Sequence, residues 1–156
     1  MNMKRIGLRA MGILLLISVG LLTVEQGYTE EKEHATKCTL ATLQGRYLFV
    51  VNGTFFPPAG GVTVQSLFDR AGSRIFNGDG TGTTIARESV NGVIRTADVH
   101  SDLSYTVNPD CTGTLKVLSA GATSEIFIAP NGDDMTVIAT DLGHVEAYSS
   151  WRVGPE

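Results

Sequence analysis

The feature that most restricts this chain is its punctuation. Asn-Gly and Asp-Gly pairs recur between short runs of alternating apolar and polar residues, at Asn52-Gly53, Asn77-Gly78-Asp79-Gly80, Asn91-Gly92 and Asn131-Gly132. A two-residue hairpin needs positive φ at its centre, and Gly and Asn adopt it at least steric cost, so these pairs predict reversals between antiparallel strands. The runs between them give candidate strands at Gly45–Asn52, Gly61–Arg70, Ser73–Asn77, Gly82–Val90 and Val93–His100. Further candidates follow at Leu103–Asn108, Gly113–Leu118, Ser124–Ala129, Met135–Asp141 and Val145–Val153. Apart from a short helical turn expected at Thr39–Gln44, no stretch beyond the leader sustains a helical period. The expected fold is all-β: an antiparallel up-and-down barrel of about eight to ten strands, whose closure removes unpaired edges. A two-sheet β-sandwich is the alternative. In the last strand Val145, Ala147, Ser149, Trp151 and Val153 share one face and Glu146, Tyr148, Ser150 and Arg152 the other. Alternation alone does not say which face points inward.

The N-terminus reads differently. Lys4, Arg5 and Arg9 precede an apolar run from Ala10 to Val24, too short to span a bilayer comfortably, which is the pattern of a secretory signal. Residues 1–29 are read as this leader, with Gly27-Tyr28-Thr29 the best small-residue cleavage candidate and an uncleaved anchor the alternative. Residues 30–43 are read as a charged flexible tether ending in a short turn, and 44–156 as the barrel domain. The expected location is secreted or periplasmic. Loss of the leader removes three basic residues and Glu25, so twelve Lys/Arg and sixteen Asp/Glu become nine and fifteen. An acidic domain without a cationic cluster excludes nucleic acid as a partner, and contact with a membrane is expected only through an uncleaved leader. The two cysteines of an exported chain, Cys38 and Cys111, predict one disulfide rather than a metal site.

Gly45-Arg46-Tyr47, taken with Arg152, resembles the calycin barrels (lipocalins and relatives). In these a Gly-x-Trp opens the first strand and an Arg from the last strand packs over that ring; here Tyr47 stands in place of the Trp. The resemblance implies a closed barrel with Arg152 over Tyr47, a contact worth about 0.5–2 kcal/mol, and an interior suited to a small apolar ligand. The Cys38 segment with Leu43–Tyr47, the turn Phe76–Gly82 and the stretch Tyr105–Thr114 look like a group of exported bacterial proteins with no established activity. The same pattern is similar to the allene oxide cyclase and dirigent barrels, which bind apolar substrates inside and steer cyclisation or coupling. None of their catalytic residues matches a position here, and none is carried over.

Asn77–Gly82 alternates oxygen ligands in the manner of a calcium loop and places Glu88 at its twelfth position. It lacks the entering helix and further acids of an EF-hand, and reads as a hairpin turn. No metal, cofactor or catalytic residue is assigned. Asp98 and His100 share a strand face and with Glu88 would form an acid/base cluster if all three converge. Phe55-Phe56 before Pro57-Pro58 cannot continue a central strand, which places the rings at the barrel mouth. The leading expectation is therefore a non-catalytic exported barrel binding a small apolar or amphipathic ligand through Phe55, Phe56, Tyr47, Arg152, Arg95, Asp98, His100 and Glu88. The alternatives are a cyclase or isomerase using the same interior, and a module that self-associates through the Phe55–Pro58 loop. The sequence sets no oligomeric state.

Overall fold

The computed structural model describes residues 37–95 and 98–154; the leader and the charged segment before Lys37 lie outside the described residues. The chain forms β1 (Gln44–Phe55), β2 (Ser66–Asn77), β3 (Thr81–Val90), β4 (Val93–Ile94), β5 (Val99–Val107), β6 (Thr112–Val117), β7 (Ala122–Ile128), β8 (Asp134–Ala139) and β9 (His144–Arg152). Every pairing is antiparallel. β1 pairs with β2 on one side and with β9 on the other, so eight strands close into an up-and-down barrel and the two-residue β4 extends the end of β3. The barrel reading holds, and the sandwich is excluded. Leu40–Leu43 forms the expected turn, as a single 3-10 helix. Among the described residues no helix is long and apolar enough to cross a membrane.

Several strand limits differ from expectation, each for a steric or hydrogen-bonding reason. Asn52-Gly53 does not reverse the chain; it lies within β1, opposite Asp69 and Phe68. Glycine is required there because a Cβ would fall 2.4 Å from the Phe68 ring. Gly61–Arg70 and Ser73–Asn77 are not two strands, since β2 runs straight through Ala71-Gly72. At Gly72 a Cβ would meet the Ile85 carbonyl oxygen at 2.2 Å, so this glycine allows β2 and β3 to approach rather than turn. Val93–His100 contributes only β4 and the first residues of β5, which then continues through Ser101-Asp102. There the Asp102 carbonyl accepts from the Leu118 N–H at 3.0 Å and the Ser101 hydroxyl from the Ser119 N–H at 2.9 Å.

The turns after β2 and β5 share one construction. In Asn77-Gly78-Asp79-Gly80-Thr81 the Asp79 carboxylate accepts from the Thr81 N–H at 2.9 Å and its hydroxyl at 2.7 Å. In Asn108-Pro109-Asp110-Cys111-Thr112 the Asp110 carboxylate accepts from the Thr112 N–H at 3.1 Å and its hydroxyl at 2.7 Å. Hydrogen bonds from these threonines hold both carboxyls below the usual range. The supposed calcium loop is thus a turn that satisfies its own oxygens.

Inward residues fill the barrel unevenly along its axis. The end near the β2–β3, β5–β6 and β7–β8 turns is packed with Tyr47, Phe76, Tyr105, Ile128 and Met135, all buried. The middle carries Phe49, Leu103, Leu115, Ile126 and Val137. Toward the opposite end the inward side chains become Arg70, Glu88, Ser124 and Glu146. Outside the closed end, Cys38 and Cys111 form the expected disulfide, with Cα atoms 5.0 Å apart across 73 residues of sequence. Closing so long a loop in the unfolded chain is worth about 4 kcal/mol by chain entropy. Replacing both cysteines by serine is expected to lower unfolding free energy by about that amount, read from urea denaturation; an unchanged midpoint would contradict this.

Candidate functional site

The two ends of the barrel have different chemistry, and the predicted site residues divide between them. At the closed end the Tyr47 hydroxyl donates to the Gly132 carbonyl and accepts from Arg152, at 3.1 Å from Nε and 2.9 Å from Nη2. Arg152 also donates to the Thr42 carbonyl at 2.7 Å, lies 3.6 Å from Asp133, and sits 5.5 Å from the Tyr47 ring centroid. The Tyr105 hydroxyl donates to the carbonyls of Leu40 and Leu43, each at 3.2 Å, so the 3-10 turn is tied across the base. Phe76 stands edge-on between Tyr47 and Tyr105, at 5.3 and 5.0 Å. Burial raises the Tyr47 and Tyr105 phenols above their ordinary range. Tyr47 and Arg152 are therefore parts of a solid plug.

The other end is hollow. A cavity of about 510 Å³ opens there, walled by Phe55, Val99, Val117 and Ala122 and by the polar side chains of Arg70, Arg74, Glu88, Arg95, Ser124, His144 and Glu146. Phe55, the last residue of β1, turns inward and stacks on Phe68 at 4.2 Å, with the His144 ring 5.0 Å away. His144 begins β9 half-buried against Phe55. Phe56 points the other way and is 42% exposed, so only one ring of the pair faces the cavity.

Glu88 is 5% exposed and both its oxygens are occupied. Oε2 accepts from the Arg70 guanidinium, at 2.9 Å from Nε and at a closer contact from Nη2, and Oε1 lies 3.0 Å from Arg95 Nε. Arg70 also covers the Phe68 ring at 5.2 Å. Asp98 and His100 do not join this group. Ile85, not Glu88, stands opposite His100 in the β3–β5 register, and both side chains point away from the interior. Asp98 pairs with Arg87 at 2.6 Å on the outer wall, and His100 is 65% exposed at 4.0 Å from Asp98. The acid/base cluster is split by the pleat, with Glu88 inside and the other two outside.

Arg70, Arg74, Glu146 and Tyr148 are interior groups that the expected site did not include. Arg74 lies at the floor of the cavity, its guanidinium 4.2 Å from the Phe49 ring centroid, and donates to the Tyr148 hydroxyl at 2.6 Å. Burial raises the Tyr148 phenol. It also raises the Glu146 carboxyl, against the lowering effect of Arg70, His144 and Arg74. The signal was present in sequence: Arg70 and Arg74 are in phase with the aromatic Phe68 and Phe76 on β2, and Glu146 with Tyr148 on β9. Larger depressions of about 670 and 870 Å³ lie on the outer wall beside His100 and around Gln44 at the base, outside the barrel.

Compared with protein-family models, curated proteins and solved structures, the chain matches none.

Tyr47→Phe leaves the Arg152 donors and the Gly132 carbonyl without their shared partner. It is expected to cost about 1–3 kcal/mol of unfolding free energy, against no change if the hydroxyl were free. Glu146 supplies a pH test. Its folded-state affinity for a proton exceeds that of the unfolded chain, so its contribution is full below the usual glutamate range and is lost as pH rises through the raised value. Urea midpoints measured from acid to neutral pH should fall less in Glu146→Gln than in the wild type, and parallel curves would show that Glu146 has no such role.

Proposed function

We propose that this chain is an exported carrier barrel that holds one small amphipathic molecule in the cavity at its open end, without chemical conversion. The observation that carries the reading is the cavity of about 510 Å³ above a solid aromatic floor. Small-molecule sites commonly occupy about 300–1,000 Å³, with apolar walls and a few converging polar groups. Phe55, Val99, Val117 and Ala122 supply such walls, and Arg74 and Glu146 such groups. Export is supported by the basic-then-apolar leader and by the Cys38–Cys111 disulfide, a bond more typical of oxidising compartments.

Catalysis by the interior is less well supported. Glu88, the carboxylate best placed by sequence, has both oxygens held by arginines and is not free to take a proton from a substrate. Self-association through the Phe55–Pro58 loop is weakened by the inward turn of Phe55.

The test is a titration with N-phenylnaphthylamine, a neutral dye that brightens in apolar surroundings. Single-site saturable binding is expected, and Ala122→Phe, which places a ring in the cavity, should abolish it. Linear, unsaturable fluorescence, or binding indifferent to this substitution, would reject the carrier reading.

A further inference from the structure

Arg74 is 4% exposed, and it is poorly satisfied. Its Nη2 donates to Tyr148, but Nε and Nη1 meet no hydrogen-bond partner. A guanidinium remains charged in proteins, and these two nitrogens carry three N–H bonds between them. Aromatic faces on two sides, Phe49 at 4.2 Å and Tyr148 at 5.2 Å, offset part of the burial cost, but neither accepts a hydrogen bond in the plane of the group. A buried, partly unpaired cation is expensive unless something completes it.

The other cavity arginines are differently placed. Arg70 and Arg95 share Glu88. Glu146, the remaining carboxyl on the cavity wall, makes no hydrogen bond to Arg74 Nε or Nη1. Three arginines thus face two glutamates, an excess of one cation.

We infer, building on the carrier reading above, that the ligand is an apolar molecule ending in a carboxylate, seated on the Arg74 guanidinium. The Tyr148 hydroxyl, which accepts from Arg74, keeps its own proton to donate to the same group. A single negative charge balances the excess cation. A phosphate monoester brings nearly a second charge and would set it against Glu88 and Glu146. The apolar body then lies along Phe55, Val99, Val117 and Ala122 toward the mouth.

The experiment titrates pyrenebutyric acid and its methyl ester into the purified protein at neutral pH, alongside N-phenylnaphthylamine. The acid should bind about tenfold or more tightly than the ester, as expected for hydrogen bonds to a charged group. Arg74→Gln should erase that preference, so that acid and ester bind alike. Equal affinity of acid and ester, with the dye still bound, overturns the carboxylate assignment and leaves the carrier reading intact. Failure of all three probes overturns both. A second measurement needs no variant and decides the matter if Arg74→Gln loses its far-ultraviolet β signature. In carboxyl-carbon NMR of labelled acid bound to the wild type, the titration midpoint should fall about one pH unit or more below that of free acid. An unshifted or raised midpoint overturns the assignment.

Discussion

The pairing of β1 with β9 is the contact on which the rest of the structure depends. Apart from the short β4, every other strand neighbours the next in the hairpin order, and an open ribbon of that kind would leave two long edges unpaired. β1 meets β9 at both ends of its length, from Tyr47 opposite Arg152 to Phe55 opposite His144. Those terminal pairs are also the chemical landmarks of the two barrel ends. Tyr47 and Arg152 lock the base through a hydroxyl and a guanidinium, while Phe55 and His144 set the rim of the cavity. Closure therefore creates an inside and gives its two ends opposite characters.

Most of the fold was legible because it rests on local rules. The Asn-Gly turns at Asn77–Gly80, Asn91-Gly92 and Asn131-Gly132 reverse the chain as their backbone preferences require, with φ of +50° at Asn91 and +80° at Gly92. Asn52-Gly53 and Ala71-Gly72 misled because glycine answers two needs, positive φ and close approach, which a sequence does not separate. At both positions the need is space, for the Phe68 ring and for the β3 backbone. The shared Asn-x-Asp-x-Thr-Gly-Thr of Asn77–Thr83 and Asn108–Thr114 was visible but unread as a repeat, although it encodes the same side-chain-capped turn twice.

The candidate site was legible only in part, for a different physical reason. On β9 the face that enters the barrel is the polar one, Glu146, Tyr148, Ser150 and Arg152, while Val145 and Trp151 face solvent at 59% and 41% exposure. Hydrophobicity would choose the reverse. The outcome follows from neighbours remote in sequence: Ser150 donates to the Leu48 carbonyl at 3.0 Å, and Tyr148 and Arg152 each answer an inward group on another strand. Phe55, Glu88 and Arg95 do meet at the cavity, whereas the pleat sends Asp98 and His100 outside. Arg70 and Arg74 reach it because their strand is already committed inward by Phe68 and Phe76.

A charged upper interior has an energetic consequence for the lower one. Replacing buried ion pairs by well-packed apolar residues is often neutral or stabilising, so the Arg70–Glu88–Arg95 group and Arg74 are weak sources of stability. A hollow of this size also denies its lining side chains the dispersion attraction that a filled core would supply, which deepens the deficit. What offsets it is gathered at the opposite end. The aromatic stack of Tyr47, Phe76 and Tyr105 is buried there, the Leu40–Leu43 turn is pinned to it by the Tyr105 hydroxyl, and the disulfide tethers that turn to the β5–β6 loop. Cross-strand hydrogen bonds run from this base to the rim, so the base can fix the positions of strands whose upper side chains contribute little. A rigid plug below is what allows Arg74 to be held in place with its donors unspent.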